Sequence, residues 1–385
     1  MTRVIDVVPE VRRRGSLTTI GFTTSARDRN PLTVEFQIDD LPEPTELAVT
    51  EAMMIASIAL AMQQQCGLRI RGSVSRSLRH TIDLYQEACA WWWPQRYHKV
   101  PIDVDIVDDK PPTTTRGILC FSGGVDSIYS ADKLGGAEQI DTGLLIEGYD
   151  IDLGNPDSQQ DQRKRVQRLL QRLGLSLTVV RTNARAVLGQ EIIEGAQGSY
   201  LAAALTLLSD RFGRGFVSSG IMDLSNIGEG DPVHEAAIPL LGSARYPIYV
   251  YGGQVSRFAK LRDLAGNSEL FRDVRVCLGR TSDDHCGHCS KCLFNAFACV
   301  AMIGNWPVWL PEHKVDLASV AAIAPTEHRT RFAREILQIA NANGRAGEWM
   351  PVLAAWLRTQ AAASKRPPRW RRLATKVRRV LRFSS

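Results

Sequence analysis

The sequence predicts an α/β protein: a parallel sheet with helices on both faces, preceded by an α+β N-terminal domain and joined to a small cysteine-bearing lobe. Three observations lead there. From residue 117 onward, short apolar runs alternate with helix-compatible stretches, the pattern of βαβ units around a buried parallel sheet. Before residue 108, strand-like and helix-like segments mix without that regular alternation. Near the end of the alternating region, four cysteines fall within sixteen residues.

In residues 1–107 the strand-like stretches are Leu17–Phe22, Leu32–Ile38, Leu68–Val74 and Val100–Val107, with helices expected near 46–66 and 77–92. Pro42-Glu43-Pro44-Thr45 marks the first helix start and Trp93-Pro94 the second helix end. Met53–Met62 is wholly apolar apart from Ser57 but falls short of the ~18 residues of a membrane span, so it reads as a buried helix. Trp91, Trp92 and Trp93 are adjacent and cannot share one helix face, which favours core and interface use over a stacking platform. Residues 108–116, with two acids, two prolines and three threonines, read as a linker.

The alternating region begins with strand Gly117–Phe121 and a helix over Ile128–Leu134. Thr142–Ile146, a helix near 158–173, Ser176–Arg181, a helix near 197–212 and Gly215–Ser219 follow. Ligands in such sheets sit beyond the carboxyl ends of the strands. Those ends carry Ser122–Ser127, Glu147-Gly148-Tyr149-Asp150, Arg181-Thr182-Asn183 and Ser218-Ser219-Gly220, which are expected to converge on one crevice. Asp223 and Glu229, just beyond, sit in a Gly- and Asp-rich stretch that reads first as a turn and second as a source of a metal ligand or base. Residues 305–363 read as a helical C-terminal region.

The turn Ser122-Gly123-Gly124-Val125-Asp126-Ser127 carries the most chemistry. Two glycines let the backbone approach a ligand closely, and the N–H groups of the first helical turn point at the same spot with the helix dipole behind them. Two serine hydroxyls add donors, and Asp126 offers a carboxylate for Mg²⁺. Pyrophosphate suits such a cradle. The turn is not a Walker A site, since it contains no lysine.

Cys277, Cys286, Cys289 and Cys292 have the spacing C-x₈-C-x₂-C-x₂-C, which can close a tetrahedral Zn²⁺ site. An iron–sulfur cluster is the second reading, although the C-x₃-C-P continuation of bacterial ferredoxins is missing. His285 and His288 are expected to flank the site.

The strand–Ser122–Ser127–helix unit resembles the signature loop of the PP-loop ATP pyrophosphatase superfamily, whose members cleave ATP between the α- and β-phosphates. With the cysteine pattern, and above all Cys286-Gly287-His288-Cys289-Ser290-Lys291-Cys292, the chain is similar to the QueC branch, the 7-cyano-7-deazaguanine synthase-like proteins. The resemblance covers roughly residues 116–304 and is dense at the two ends of that range. It thins between them: QueC enzymes carry Pro-Gly-Arg-Asn where this chain reads Glu194-Gly195-Ala196-Gln197-Gly198-Ser199, and QueC lacks a domain before the loop. QueC-like bacterial proteins with an N-terminal extension are a closer resemblance.

The resemblance implies a PP-loop domain at 117–304 that uses ATP, Mg²⁺ and Zn²⁺. It places Ser122, Asp126 and Ser127 in catalysis and Ser122, Gly123, Gly124, Val125, Asp126 and Ser127 on the nucleotide; Arg181, read from its strand end and not from the resemblance, is expected to join them. The expected reaction adenylates a carboxylate or carbonyl, releases pyrophosphate and admits ammonia or an amine, on a deazapurine or on another small-molecule or peptide substrate. Two other readings stand beside it. One is sulfur transfer to a nucleobase, which needs a persulfide-carrying cysteine such as Cys120. The other is a non-catalytic nucleotide-binding regulatory module.

Charge is distributed unevenly. Residues 365–382 hold nine basic residues and no acid, so removing them from the chain's 47 leaves 38 basic against 41 acidic residues. The body is therefore not a basic nucleic-acid surface. Trp370, Leu373, Val377 and Leu381 recur at helical spacing in the tail 364–385, which suits an anionic membrane surface, an acidic partner or nucleic acid as well as a solvated tail. The first residues lack a signal-peptide pattern, and metal-type cysteines fit a reducing compartment, so a cytoplasmic homo-oligomer, peripherally membrane-associated through its tail, is expected.

Overall fold

The computed structural model describes residues 3–26, 29–112, 114–135, 140–149, 151, 153–220, 236–277 and 285–364. Asp150, Asp223, Glu229 and the basic tail lie outside the described residues. The chain divides into two compact units, Met1–Asp284 and His285–Ser385.

The first unit is built on one ten-stranded sheet. Its N-terminal part contributes β1 (Val4–Arg14), β2 (Leu17–Ala26), β3 (Arg29–Asp39), β4 (Gly67–Ser75) and β5 (Ile102–Val107), with helices α1 (Glu46–Gln64) and α2 (Arg76–Trp92). The alternating region then gives β6 (Gly117–Cys120), α3 (Val125–Leu134), β7 (Ile140–Glu147), α4 (Pro156–Arg172), β8 (Ser176–Thr182), α5 (Ala184–Leu188), α6 (Gln190–Thr206), β9 (Arg214–Ser218) and β10 (Ile248–Tyr251). Helices α7 (Arg257–Ala265) and α8 (Ser268–Arg272) complete it.

Strand order is β10-β9-β6-β7-β8-β3-β2-β1-β4-β5. The five strands from β10 to β8 are mutually parallel, as the alternation predicts. From β6 the chain steps outward to β7 and β8, then returns to lay down β9 and β10 on the other side. The order therefore reverses between β6 and β9, and this switch point is where a doubly wound sheet opens a crevice. With the right-handed crossovers that are the rule for βαβ units, this order calls for α3 and α4 on one face and α6 on the other. The packing agrees, with α3 against α7 and α6 against α1.

The N-terminal strands extend this sheet. β3 runs antiparallel to β8, pairing Phe36 with Thr182 and Ile38 with Val180. The expected separate domain at 1–107 thus meets a different arrangement, because its strands share a sheet with the alternating region. The stretch that reads as a linker is also tied down. Arg116 O accepts from Gly213 N at 2.9 Å, and Asp109 accepts from the backbone N–H of Ser77 at 3.0 Å. Composition marked these residues as irregular, but irregular backbone still hydrogen-bonds where it crosses a packed surface.

Helix α1 is buried along almost its whole length, packed between the strands of the N-terminal half and α6. Among the described residues it is the one helix long and apolar enough to cross a membrane, and 83% of its apolar window is buried inside the protein. Strands β1 and β10 were not anticipated, and the helix expected near 197–212 runs instead over Gln190–Thr206.

The second unit contains α9 (Ser290–Ile303), α10 (Glu327–Ala342) and α11 (Trp349–Ser364), with 3₁₀ turns at Glu312–Lys314 and Leu317–Ala322. Its core stacks Phe297 on Trp349 with ring centroids 5.2 Å apart, and Trp356 Nε1 donates to Ile323 O at 3.0 Å.

Candidate functional site

Strand β6 ends in the Ser122–Ser127 turn, directly at the switch point. Phe121 continues the pairing by donating to Leu144 O at 2.7 Å, and the chain then leaves the sheet. Gly123 has φ +76°, a conformation that a side chain resists. Its carbonyl accepts from Arg275 N at 2.9 Å, fixing the turn from the far side. Gly124 is the N-cap of α3, and among the described residues no side chain caps the helix. Ser122 is exposed, at the mouth of the turn. Val125 and Ser127 are buried, and the Ser127 hydroxyl donates to Gly124 O at 3.1 Å. Ser127 therefore holds the turn together rather than facing the crevice.

Asp126 meets two cations from α7. Lys260 Nζ donates to its Oδ1 at 3.1 Å, and Arg257 Nη2 lies 2.8 Å from its Oδ2. Lys260 is 1% exposed and also donates to Ser219 O at 2.6 Å, so it ties α3 and α7 to the end of β9. Arg257 reaches Gly220 O at 3.3 Å. Neither residue was picked out from the sequence. The available signal was an Arg and a Lys three apart, on one face of a helix opened by a serine N-cap (Ser256 Oγ accepts from Ala259 N at 3.2 Å). Asp126 as it stands does not fit a Mg²⁺ ligand, since each oxygen already holds a cation and a third would be repelled.

Arg181 is committed elsewhere, with Nη2 on Asp39 Oδ2 at 2.7 Å and Nε 3.4 Å from Glu147 Oε2. Glu147, at the end of β7, is buried and accepts from Nε and Nη2 of Arg163 at 2.8–2.9 Å. Asn183 accepts from Glu35 N at 2.8 Å and donates to Thr33 O at 3.1 Å, prolonging the β3–β8 contact. The strand ends after β7 and β8 are thus filled by internal ion pairs and hydrogen bonds. The ends of β6 and β9 meet at the Ser122–Ser127 turn, where Lys260 joins Asp126 to Ser219 O. Burial pushes the Cys120 thiol well above the ordinary cysteine range, which leaves it a poor thiolate and a poor sulfur carrier.

The sulfurs of Cys277, Cys286, Cys289 and Cys292 lie within 4.8 Å of one another. Those of Cys286 and Cys292 are 3.9 Å apart, close to the ~3.8 Å edge of a tetrahedron with Zn–S bonds of ~2.3 Å. Cys286 Sγ accepts from Cys289 N at 3.3 Å, and Cys289 Sγ caps α9 by accepting from Cys292 N at 3.4 Å. Gly287 lies between them at φ +71°, where an added Cβ would come to 1.9 Å from Lys314 O. This compact four-sulfur set can hold one metal ion such as zinc. His288 places Nδ1 2.9 Å from Cys286 O and His285 packs against the Trp309 ring, so both flank the cysteines.

The chain matches no protein-family model, and no curated protein matches it significantly.

Proposed function

We propose that the chain is an ATP-dependent adenylating enzyme of the PP-loop pyrophosphatase type, QueC-like in its chemistry. The observation that carries this reading is a lysine-free Ser-Gly-Gly turn opening α3 at the point where the strand order reverses. In this reading an oxygen of a carboxylate substrate attacks the α-phosphate of ATP, and pyrophosphate leaves into the turn. The uncapped N–H groups of α3 and the exposed Ser122 hydroxyl meet the charge that develops on the leaving group. Ammonia or an amine then attacks the acyl adenylate and releases AMP. Ser122, Gly123, Gly124 and Val125 contribute backbone and hydroxyl contacts. Asp126 keeps the cations of α7 at the turn, and Ser127 locks the turn's shape. Zinc bound by the four cysteines has no open position for water and serves structure. Sulfur transfer is disfavoured because desolvation raises the pKa of the half-buried Cys120 thiol.

Product identity tests the reading. Purified protein incubated with ATP, Mg²⁺ and a panel of carboxylates with ammonia is expected to form AMP and pyrophosphate. Ser122→Ala should slow the reaction about tenfold or more with the zinc content unchanged. Steady formation of ADP and phosphate would exclude adenylation.

A further inference from the structure

We propose that Arg257 is the cation that binds the departing pyrophosphate, and that in the nucleotide-free protein it is parked on Asp126. This inference rests on the Ser122–Ser127 turn being an ATP site.

The turn itself lacks a cationic side chain, yet a pyrophosphate leaving group carries several negative charges. Among the described residues Arg257 and Lys260 bring two positive charges to the one carboxylate of Asp126, next to the N-terminus of α3. The two cations differ in freedom. Lys260 is 1% exposed, with its ammonium held between Asp126 and Ser219 O. The Arg257 side chain is 25% exposed, and among the described residues its contacts besides Asp126 come down to a longer one with Gly220 O at 3.3 Å.

Position points the same way. Arg257 sits in the first turn of α7, where the helix dipole disfavours a cation, so the residue needs an anion to face. Asp126 supplies it in the free protein. Asp126 also opens α3, so moving the guanidinium from its carboxylate to a phosphate at that helix N-terminus is a short shift of a partly exposed side chain. A planar guanidinium binds two phosphate oxygens at once, which makes it a natural substitute for the absent loop lysine. Once Arg257 has moved, Asp126 remains neutralised by Lys260.

The test is calorimetric titration of the full-length protein with inorganic pyrophosphate and, separately, with AMP. The Arg257→Gln protein is expected to bind pyrophosphate about tenfold or more weakly. Its affinity for AMP, whose single phosphate does not reach the pyrophosphate subsite, should be unchanged. Arg257→Lys should recover part of the loss. Wild-type pyrophosphate affinity should also fall more steeply with added salt than that of Arg257→Gln, because one ionic contact has been removed. Arg257→Gln binding pyrophosphate as tightly as the wild type would overturn the proposal. So would equal loss of AMP and pyrophosphate, which would mean that Arg257 only shapes the site. Wild-type protein that binds neither AMP nor pyrophosphate would instead remove the nucleotide site on which the inference rests.

Discussion

Lys260 is the residue on which the turn's internal electrostatics depend. A buried ammonium is tolerated because Asp126 and Ser219 O together replace its hydration. Replacing it with methionine leaves Asp126, among the described residues, with Arg257 as its remaining cation and removes the ammonium from Ser219 O. Because Asp126 is 18% exposed and keeps one cation, the cost should fall at about 2–3 kcal/mol, below the ~3–5 kcal/mol typical when a fully buried pair is broken. The urea midpoint of Lys260→Met reads this directly, and a midpoint equal to wild type would contradict the buried pair. At this scale the sequence was legible wherever chemistry is local. Gly123 and Gly124 announce a turn, and four cysteines within sixteen residues announce a sulfur site. The Asp126–Lys260 pair spans 134 positions, and no periodicity or spacing rule connects residues that far apart. The pairing of Arg181 was hidden for a related reason. Its place at a strand end was readable, but Asp39, which occupies it, comes from a strand that the sequence assigned to another domain.

Helix α1 places a carboxylate where no water reaches. Glu51 is 1% exposed, accepts from Ser75 N at 3.0 Å and lies 3.6 Å from Arg245, which itself pairs with Asp210 at 2.6 Å. Desolvation by burial raises its pKa above the ordinary glutamate value, outweighing the hydrogen bond from Ser75 and the charge of Arg245. The folded protein therefore holds the Glu51 proton to a higher pH than the unfolded chain does. Between the unfolded value and the raised folded one, Glu51's contribution to stability falls as pH rises, and above the folded value the cost is fully present. Glu51→Gln keeps an acceptor for Ser75 and removes that cost. Its stability relative to wild type is expected to be highest above the raised folded value and to decline as pH falls towards the ordinary glutamate range, as thermal denaturation across that span would measure. A pH-independent difference would show that Glu51 does not titrate in this way. Elements with strong patterns, such as α1 and β6 to β9, were readable. β1 was not, because its second half, Val8–Arg14, is almost all exposed and shows no clean inside–outside alternation. α7 hides its function for the opposite reason: a lysine faces inward where a helical pattern would place an apolar residue.

The strand order reveals what composition could not: the N-terminal 107 residues are one side of the sheet on which the candidate site is built. β8 would be an edge strand without β3, and α6 would lose the face it buries against α1. An exposed, apolar strand edge pairs readily with other chains, so the missing partner affects solubility as well as stability. The sequence suggested a removable domain because Pro111, Pro112 and three threonines look like a linker, and because βαβ alternation begins only after them. Neither cue reports which strands pair, since β3 and β8 meet across more than a hundred residues. The same topology gives a strict expectation for a chain beginning at residue 108. It retains the turn, Lys260, Arg257 and all four clustered cysteines, yet it should be recovered mainly as aggregate, and any soluble fraction should melt without a cooperative transition. Co-expression with residues 1–107 as a separate chain should restore soluble protein, because the β3–β8 ladder and the α1–α6 contact can form between two chains as well as within one. Size-exclusion chromatography with thermal melting distinguishes the outcomes. A monodisperse, cooperatively melting 108–385 fragment would mean that the sheet does not need β3, and would return the N-terminal segment to the status of an independent domain.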